Sequence, residues 1–357
     1  MMTFIKSSTL RVKRLSSKPD AGSFWGGVRA IDAAIALAPV LTALVCIGIG
    51  RYSVSVPETV RALLAPLSGQ EMDPLTMSVI WGIRLPRIVL ALLVGGGLSV
   101  AGASFQALFS NPLATPDTLG VATGASFGAA VALLFHADLL AVQVCAMVCG
   151  FSALLVTTSI SRQGGNNSIV MVVLAGIVVS AVFQAFLSLV QYLANPEDTL
   201  PTITYWLLGS MAKANFKSLL RGAPFIVAGM ALLFSLRWRL NVLSLQEDEA
   251  KSLGINVKNT RLAVMAASTM VTAAGISLCG QVGWIGLLVP HMSRMIYGGD
   301  NRRVIPASIC LGGALLVLID TIARGATAAE IPVSVLTAII GAPFFILLLR
   351  KTGGARL

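Results

Sequence analysis

Long runs of apolar residues alternate with short polar stretches along nearly the whole chain. A helix of about 20 apolar residues, at about 1.5 Å per residue, spans the roughly 30 Å hydrocarbon core of a bilayer. The eighth run is too short to span alone, but the set predicts an all-helical, polytopic membrane protein with about ten transmembrane helices. The runs are residues 30–50, 88–109, 118–135, 139–160, 169–193, 222–240, 262–282, 284–297, 304–323 and 333–349.

The second run ends in a break that cannot face lipid. Asn111 and Pro112 follow residues 88–109, and a second turn rich in proline and glycine leads directly into the next run. The free backbone N–H and C=O groups of such a turn find no partners in hydrocarbon, so the turn must be enclosed by protein or line a watery path. A helix followed by such a break is typical of a transport route.

The composition supports one membrane domain. The chain of 357 residues is 56% hydrophobic and 11% charged, whereas soluble domains carry about 25% charged residues. These polar residues are too few to cover a water-soluble surface. We therefore predict a basic N-terminal tail at residues 1–29, a single transmembrane domain at 30–351 and a short C-terminal tail at 352–357.

The positive charges predict the orientation of the chain. If the basic tail is cytoplasmic and the ten segments alternate, 18 Lys and Arg lie inside and 8 lie outside. An excess of Lys and Arg marks the cytoplasmic side. We therefore predict a multi-pass protein of the bacterial cell (inner) membrane with both termini in the cytoplasm. The same pattern accounts for the net charge of +11 without a nucleic-acid partner.

Catalytic and metal-binding motifs are absent from the sequence. The five cysteines lie inside apolar runs, where they are expected to pack as small apolar residues, and His136 and His291 have no metal-ligand spacing. The chain also lacks the GxxxxGK[ST] phosphate-binding loop. We predict no metal, no cofactor and no enzymatic activity, so any ATP hydrolysis belongs to a separate subunit.

A charged loop at about 241–260 separates the sixth and seventh runs. Three acids at 247–249 and Gly254 fit a short helix with satisfied ends, and Ala250 and Leu253 are expected to share one face. Two interpretations remain open at this point. The helix either offers a surface that a motor domain grips, or it is a capped connector with a solvated face.

Seven sequence pieces carry a resemblance to a known family: RLPR (84–87), AGASFQALFSNPLATPDTLGVATGA (101–125), YWLLGS (205–210), EDEAKSLGINV (247–257), GWIGLLVPHMSRM (283–295), DTIAR (320–324) and EIPVSVLTAIIGAPFFILLLRK (330–351). Together they resemble the iron-siderophore/cobalamin (FecCD-type) permease family, the membrane subunits of type II ABC importers. The resemblance implies ten transmembrane helices per subunit, two subunits side by side (identical or paralogous), two cytoplasmic ATPases and an external substrate-binding protein.

The resemblance implies a docking role for three arginines. Arg84, Arg87 and Arg324 match family arginines at the outer mouth that receive acidic residues of the binding protein, and the predicted topology places all three outside. Alternatively, Arg324 pairs with Asp320 one turn earlier, in the favourable order with the acid first.

The resemblance also implies a gate and a coupling helix. Asn111 and Leu113 match the inner constriction of the path; alternatively, Asn111 simply ends a helix. Where the family's cobalamin member has small hydroxyl residues at the start of its fifth helix, this chain has apolar Ile169 and Val170, so no upper gate is assigned. The ATPase-coupling residues implied by the match are Glu249, Ala250, Leu253 and Gly254.

The predicted function is import of a metal chelate delivered by an external binding protein and driven by ATP. A ferric siderophore is the first cargo expected, with cobalamin or haem as alternatives from the same family. An ion-coupled secondary transporter is the competing class, and it needs an ionisable group near the midplane. The candidate acids, Asp32, Asp117 and Asp320, all fall near segment ends in the predicted topology.

Overall fold

A computed structural model describes residues 21–69, 71–162, 169–243, 245, 247–327 and 329–352. These residues form helices and turns, with no strand among them. A π-helical turn at Ser78–Arg84 joins α3 to α4, and a 3-10 helix at Pro116–Leu119 precedes α5. The α-helices are α1 Ala21–Gly48, α2 Val56–Ser68, α3 Pro74–Met77, α4 Leu85–Leu108, α5 Val121–Leu134, α6 Leu139–Arg162, α7 Ile169–Leu193, α8 Thr199–Leu207, α9 Phe216–Ser235, α10 Arg237–Val242, α11 Glu247–Ser252, α12 Val257–Cys279, α13 Ile285–Tyr297, α14 Asn301–Ala326 and α15 Val333–Thr352.

Each predicted apolar run coincides with a helix, which confirms the all-helical class. Among the described residues, seven helices are long and apolar enough to cross a membrane, whereas α5 and the apolar part of α15 are shorter and α13 has 13 residues. The number of ten crossings therefore stays a prediction. Residues 1–20 and 353–357, which hold most of the predicted tails, lie outside the described residues.

The helix that contains the second apolar run begins well before that run. Residues Pro74–Leu108 form one helical stretch of 35 residues, so the prediction that the helix begins at 88 is wrong. A proline inside a helix lacks the N–H for the usual hydrogen bond, and a wider turn can absorb it. Here the N–H of Leu85 donates to the carbonyl of Ile80, five residues earlier, immediately before Pro86. Arg84 and Arg87 consequently lie within a helix.

Helix α4 forms the centre of the bundle and is buried along most of its length. It packs against α9, α12, α13 and α14. Two glycine pairs allow this close approach: a Cβ at Gly95 would overlap the carbonyl of Gly312 in α14, and a Cβ at Gly102 would overlap that of Gly286 in α13. Small residues bring helix backbones together in this way in membrane proteins.

The three arginines and α11 lie at opposite ends of the molecule. The amide of Asn241, at the end of α10, donates to Asp300 Oδ1 over 2.8 Å at the start of α14, and α11 begins six residues after Asn241. Arg324 lies in the last turn of α14. That helix has 26 residues, a length of about 39 Å at 1.5 Å per residue. We call the two ends the arginine end and the α11 end.

Candidate functional site

Two breaks in the helical backbone meet at one cavity of about 430 Å³. The first break contributes Leu113, Thr115, Pro116 and Asp117, and the second contributes residues 281–284. Leu98 of α4 and Thr272 and Ile276 of α12 complete much of the wall. Irregular backbone at membrane depth is tolerated where it lines a cavity, and both breaks meet that condition here.

Side-chain hydrogen bonds fix the first break. Asn111 Oδ1 accepts the N–H of Leu113 over 2.9 Å, and Thr157 Oγ1 donates to the carbonyl of Leu119 over 3.0 Å. Leu113 is 46% exposed and lines the cavity, whereas Asn111 is not among the lining residues. Of the two predicted gate residues, the structure therefore brings only Leu113 to the cavity, while Asn111 shapes the turn.

The second break, between α12 and α13, was not predicted from the sequence. Helix α12 ends at Cys279, and α13 begins only at Ile285, beside the middle of α4, where Gly286 meets Gly102. Gln281 Nε2 donates to Ser126 Oγ over 2.7 Å and so ties the break to α5. The signals were present: an eighth run too short to span, preceded by Gly280 and Gly283.

The cavity wall carries little charge. Asp117 is the charged residue among the lining side chains, and Thr115, Thr123, Thr272 and Gln281 supply the neutral polar groups. Such a wall offers hydrogen bonds but no cation that would hold an anionic solute. The cavity therefore suits passage of a solute better than its tight retention.

Arg87 binds two carboxylates at the arginine end. Its Nη2 lies 2.7 Å from Asp320 Oδ1, and its Nε lies 3.3 Å from Asp320 Oδ2. Its Nη1 and Nη2 lie 2.9 and 3.1 Å from the two oxygens of Glu330. Each carboxylate is thus held by two bonds, the geometry for which the guanidinium fork is suited. Glu330 was not among the predicted site residues.

Arg84 and Arg324 instead hold the end of α1. Arg84 Nη1 donates to the carbonyls of Ile47 and Gly48 over 2.8 and 3.0 Å, and Arg324 Nη2 donates to that of Cys46 over 2.5 Å. The last carbonyls of a helix lack partners within it, and cations there also complement the helix dipole. These two arginines therefore cap α1.

All three arginines are buried in this subunit, with exposed fractions of 3%, 3% and 6% for Arg84, Arg87 and Arg324. Each of these side chains therefore lies inside the subunit rather than on its surface, and their docking role stays a prediction. The alternative pair of Arg324 with Asp320 is weak, because its closest N–O distance is 4.0 Å. Asp320 is held by Arg87 instead.

The predicted short helix before Gly254 is present as α11. Gly254 has φ +76°; its N–H donates to Lys251, and that of Ile255 donates to Ala250 over 3.3 Å. This pair of bonds with a left-handed glycine is the Schellman helix ending. The space beside Gly254 is open, since nothing lies within 4 Å of a Cβ placed there.

The expected common face of Ala250 and Leu253 is not formed. Ala250 is 1% exposed and packs into the core of its own subunit, whereas Leu253 is 55% exposed. Leu253 follows the last helical residue, so the helical spacing of three no longer determines its direction. Glu249, Leu253 and Gly254 lie on the accessible surface, and Ala250 supports them from beneath.

Comparison with known proteins shows which family has this architecture. The model of the FecCD transport family matches residues 37–351. The chain belongs to the FecCD transport family. The molybdate import permease MolB of Haemophilus influenzae is 40% identical over 313 residues, covering 87% of this chain and 93% of that protein. A probable iron chelatin permease of Helicobacter pylori is 36% identical, covering 90% of this chain and 98% of that one.

A solved structure has the same fold. It is described as an inward-facing conformation of a metal-chelate type ABC transporter, with 38% identity and a TM-score of 0.82. The match covers 90% of this chain and 99% of that one. As a FecCD-family protein, the chain is the multi-pass membrane permease of an ABC importer, and it is not an enzyme. ATP hydrolysis takes place in a separate subunit, so the ion-coupled alternative is set aside.

Proposed function

We propose that this FecCD-family permease carries a metal chelate, with a ferric siderophore as the first candidate, along a path that includes the cavity between residues 113–117 and 281–284. The cavity itself is the observation that carries the proposal, because two backbone breaks line it and the described residues of its wall include one carboxylate and no Lys or Arg. Molybdate is the second candidate, favoured by the similarity to MolB. Cobalamin and haem remain family alternatives.

Competitive uptake decides between these cargoes. The permease would be reconstituted in proteoliposomes with the ATPase and the substrate-binding protein encoded beside it. We expect ATP-dependent uptake of a radioiron-loaded siderophore that excess molybdate, cobalamin or haem does not compete away. Uptake of radiomolybdate without siderophore uptake would assign the second cargo, and competition by cobalamin or haem would assign one of those.

We further propose ten crossings with both termini in the cytoplasm, and two permease subunits assembled with two ATPases. The 18 to 8 distribution of Lys and Arg supports this orientation. The separation of the arginine end from the α11 end also supports it, because binding protein and ATPase would contact opposite faces of the membrane. A membrane-impermeant thiol reagent should label cysteine introduced at Lys217 from outside and at Leu253 only from inside.

We assign the docking role chiefly to Arg87, since its guanidinium already binds carboxylates. Arg84 and Arg324 contribute positive charge and hold α1 in place beside it. Charge pairing of this kind governs encounter rate and register more than affinity. Raising salt should weaken binding-protein docking to the wild type, and the Arg87→Gln variant should show a shallower salt dependence. Lys217→Gln, which removes an exposed charge on the same predicted side, is the matched control and should keep the wild-type slope within about 20%.

We propose that the accessible surface of α11, formed by Glu249, Leu253 and Gly254, receives the ATPase, with Ala250 as its internal support. The exposure of Leu253 and the open space at Gly254 favour this role. We propose Leu113, placed by the Asn111 turn, as the gate residue. Its apolar side chain borders the cavity and is free to meet its counterpart in a second subunit.

A further inference from the structure

Glu330 occupies an unusual position among the groups at the arginine end. Its carboxylate makes two bonds to Arg87, at 2.9 and 3.1 Å, which matches the way Arg87 holds Asp320. The side chain of Glu330 is nevertheless 29% exposed, whereas that of Asp320 is 2% exposed. Arg87 therefore has one internal carboxylate partner and one partner that solvent reaches.

The backbone at Glu330 adopts a strained conformation. Glu330 has φ +52°, a left-handed conformation that disfavours residues with a Cβ. It lies outside the helices, between α14 and α15. The N–H groups of Glu330 and Ile331 donate to Thr327 over 3.4 Å and to Ala323 over 3.1 Å, so loss of the Arg87 bonds would leave these backbone bonds alone to oppose the strain.

Residues 329–332 lead directly into α15, which reaches the cavity. A Cβ at Gly341 in α15 would lie 2.9 Å from the side chain of Trp284, so that helix and that ring are in close contact. Trp284 lines the cavity and itself has φ +67°. A change in the position of α15 would therefore be transmitted to the cavity wall.

We propose that Glu330 holds, in the undocked permease, the place on Arg87 that a carboxylate of the binding protein takes on docking. The exchange would release residues 329–332 and loosen α15 against Trp284, so the permease would sense docking through a substituted ion pair. This inference rests on the proposed docking function. Asp320 stays in place and keeps Arg87 oriented.

Removing the charge of Glu330 tests the exchange. In nanodiscs holding the permease with its ATPase, Glu330→Gln should bind the binding protein encoded beside it about fivefold to tenfold more tightly than the wild type, because a competing internal anion is gone. Vanadate-sensitive ATP hydrolysis without binding protein should also rise. Glu58→Gln removes an exposed acid on the same predicted side and conserves its capping role, so it should leave affinity unchanged.

A double variant separates exchange from general repulsion. In the Arg87→Gln background, the Glu330→Gln gain should disappear, because the two effects act through one bond pair. A gain that persists there, or equals that of Glu58→Gln, would overturn the proposal. Unchanged or weaker binding by Glu330→Gln would do so as well.

A second variant with a shorter acidic side chain keeps the test decisive if Glu330→Gln misfolds. Glu330→Asp keeps the charge but loses one methylene, and it should give a smaller gain. Failure of both variants to assemble with the ATPase would show Glu330 to be structural and would end the proposal. If the wild type does not bind the binding protein at all, the proposed docking function itself is wrong. If the wild type and Glu330→Gln bind it equally well, only the proposed exchange is wrong.

Discussion

At the scale of single residues, Gly102 shows how little space the bundle core leaves. The backbone of Gly286 lies against its α-carbon, so even a methyl group would overlap the Gly286 carbonyl. A different contact of α4, the one with α12, is more tolerant, since a Cβ at Gly275 would have Val94 as its nearest neighbour at 3.6 Å.

The first prediction compares these two glycines. Gly102→Ala should lower the free energy of unfolding by about 1–3 kcal/mol, as overpacking of a tight core does. Gly275→Ala should change it by less than about 1 kcal/mol, in either direction. Thermal unfolding in detergent, monitored through the reactivity of buried cysteines, measures the change in free energy for both variants. Equal effects of the two variants would show that the α4–α13 contact is looser than described.

The second prediction concerns Gly254 at the proposed ATPase surface. Gly254→Trp should abolish co-purification of the ATPase and uptake while the permease still inserts, because the indole would fill the open space where the partner sits. Gly254→Asn is the matched control, since asparagine tolerates the left-handed conformation. It should retain most activity. Normal ATPase recovery with the tryptophan variant would argue that α11 is only a connector.

Residue identity was more predictable here than residue environment. The motifs RLPR and DTIAR located Arg84, Arg87 and Arg324, but their burial depends on partners that are distant in sequence. Arg84 bonds residues more than 30 positions earlier, and Arg87 bonds Glu330, 243 positions later. A spacing argument within one helix could suggest only the pair of Arg324 with Asp320, which is the weaker one.

At the scale of elements, the caps at the α11 end tie α10 to α14. Asp300 accepts the N–H of Arg302 in the first turn of α14 and the amide of Asn241. Burial raises the pKa of Asp300, but the hydrogen bonds from Asn241 and Arg302, together with the charges of Arg302 and Arg303, outweigh that effect, so the pKa lies below its usual value. The ionised form is therefore stabilised by folding.

The third prediction follows from that lowered pKa. A carboxyl whose pKa is lower in the folded state stabilises above its unfolded pKa, and this contribution is lost as pH falls through the folded pKa. Asn241→Ala should reduce stability by about 1 kcal/mol near neutral pH and flatten the loss on acidification below about pH 4. Thermal unfolding across pH measures this. A variant with the wild-type acid profile would contradict the assigned role of the bond.

Element positions followed from hydropathy, but element ends did not. The apolar runs marked helices because burial in lipid requires apolar side chains. Residues 74–87 are largely apolar, but Arg84, Pro86 and Arg87 interrupt the pattern just before residue 88, so it gave no sign that the helix extends through Pro86 across a π turn. The extended segment 280–284 is itself partly apolar. Hydropathy therefore could not distinguish it from a helix end.

At the scale of the whole molecule, the proposed path runs between two subunits, and Leu113 should report its state. Cysteine at position 113 in both subunits should crosslink in one nucleotide state and separate in another. The comparison covers nucleotide-free, ATP-bound and vanadate-trapped complexes. Cysteine at Phe135, which is exposed away from this cavity, serves as the control. Crosslinking that is identical in all three states would make the Asn111 turn purely structural.

The whole-molecule class was predictable because composition alone excludes a soluble domain. The cavity was only half predictable: its first wall follows from Asn111 and Pro112, whereas its second wall depends on α13 beginning beside Gly102. That position is set by packing between helices far apart in sequence. No local pattern in residues 280–285 specifies it.

The most direct test of the account is uptake driven by ATP through the reconstituted complex. Proteoliposomes containing the permease, its ATPase and its binding protein should accumulate the loaded chelate when ATP is supplied on the α11 side. Vanadate should abolish this uptake, a protonophore should leave it intact, and Gly254→Trp should eliminate it. Uptake that continues without ATP and collapses with the protonophore would contradict the account.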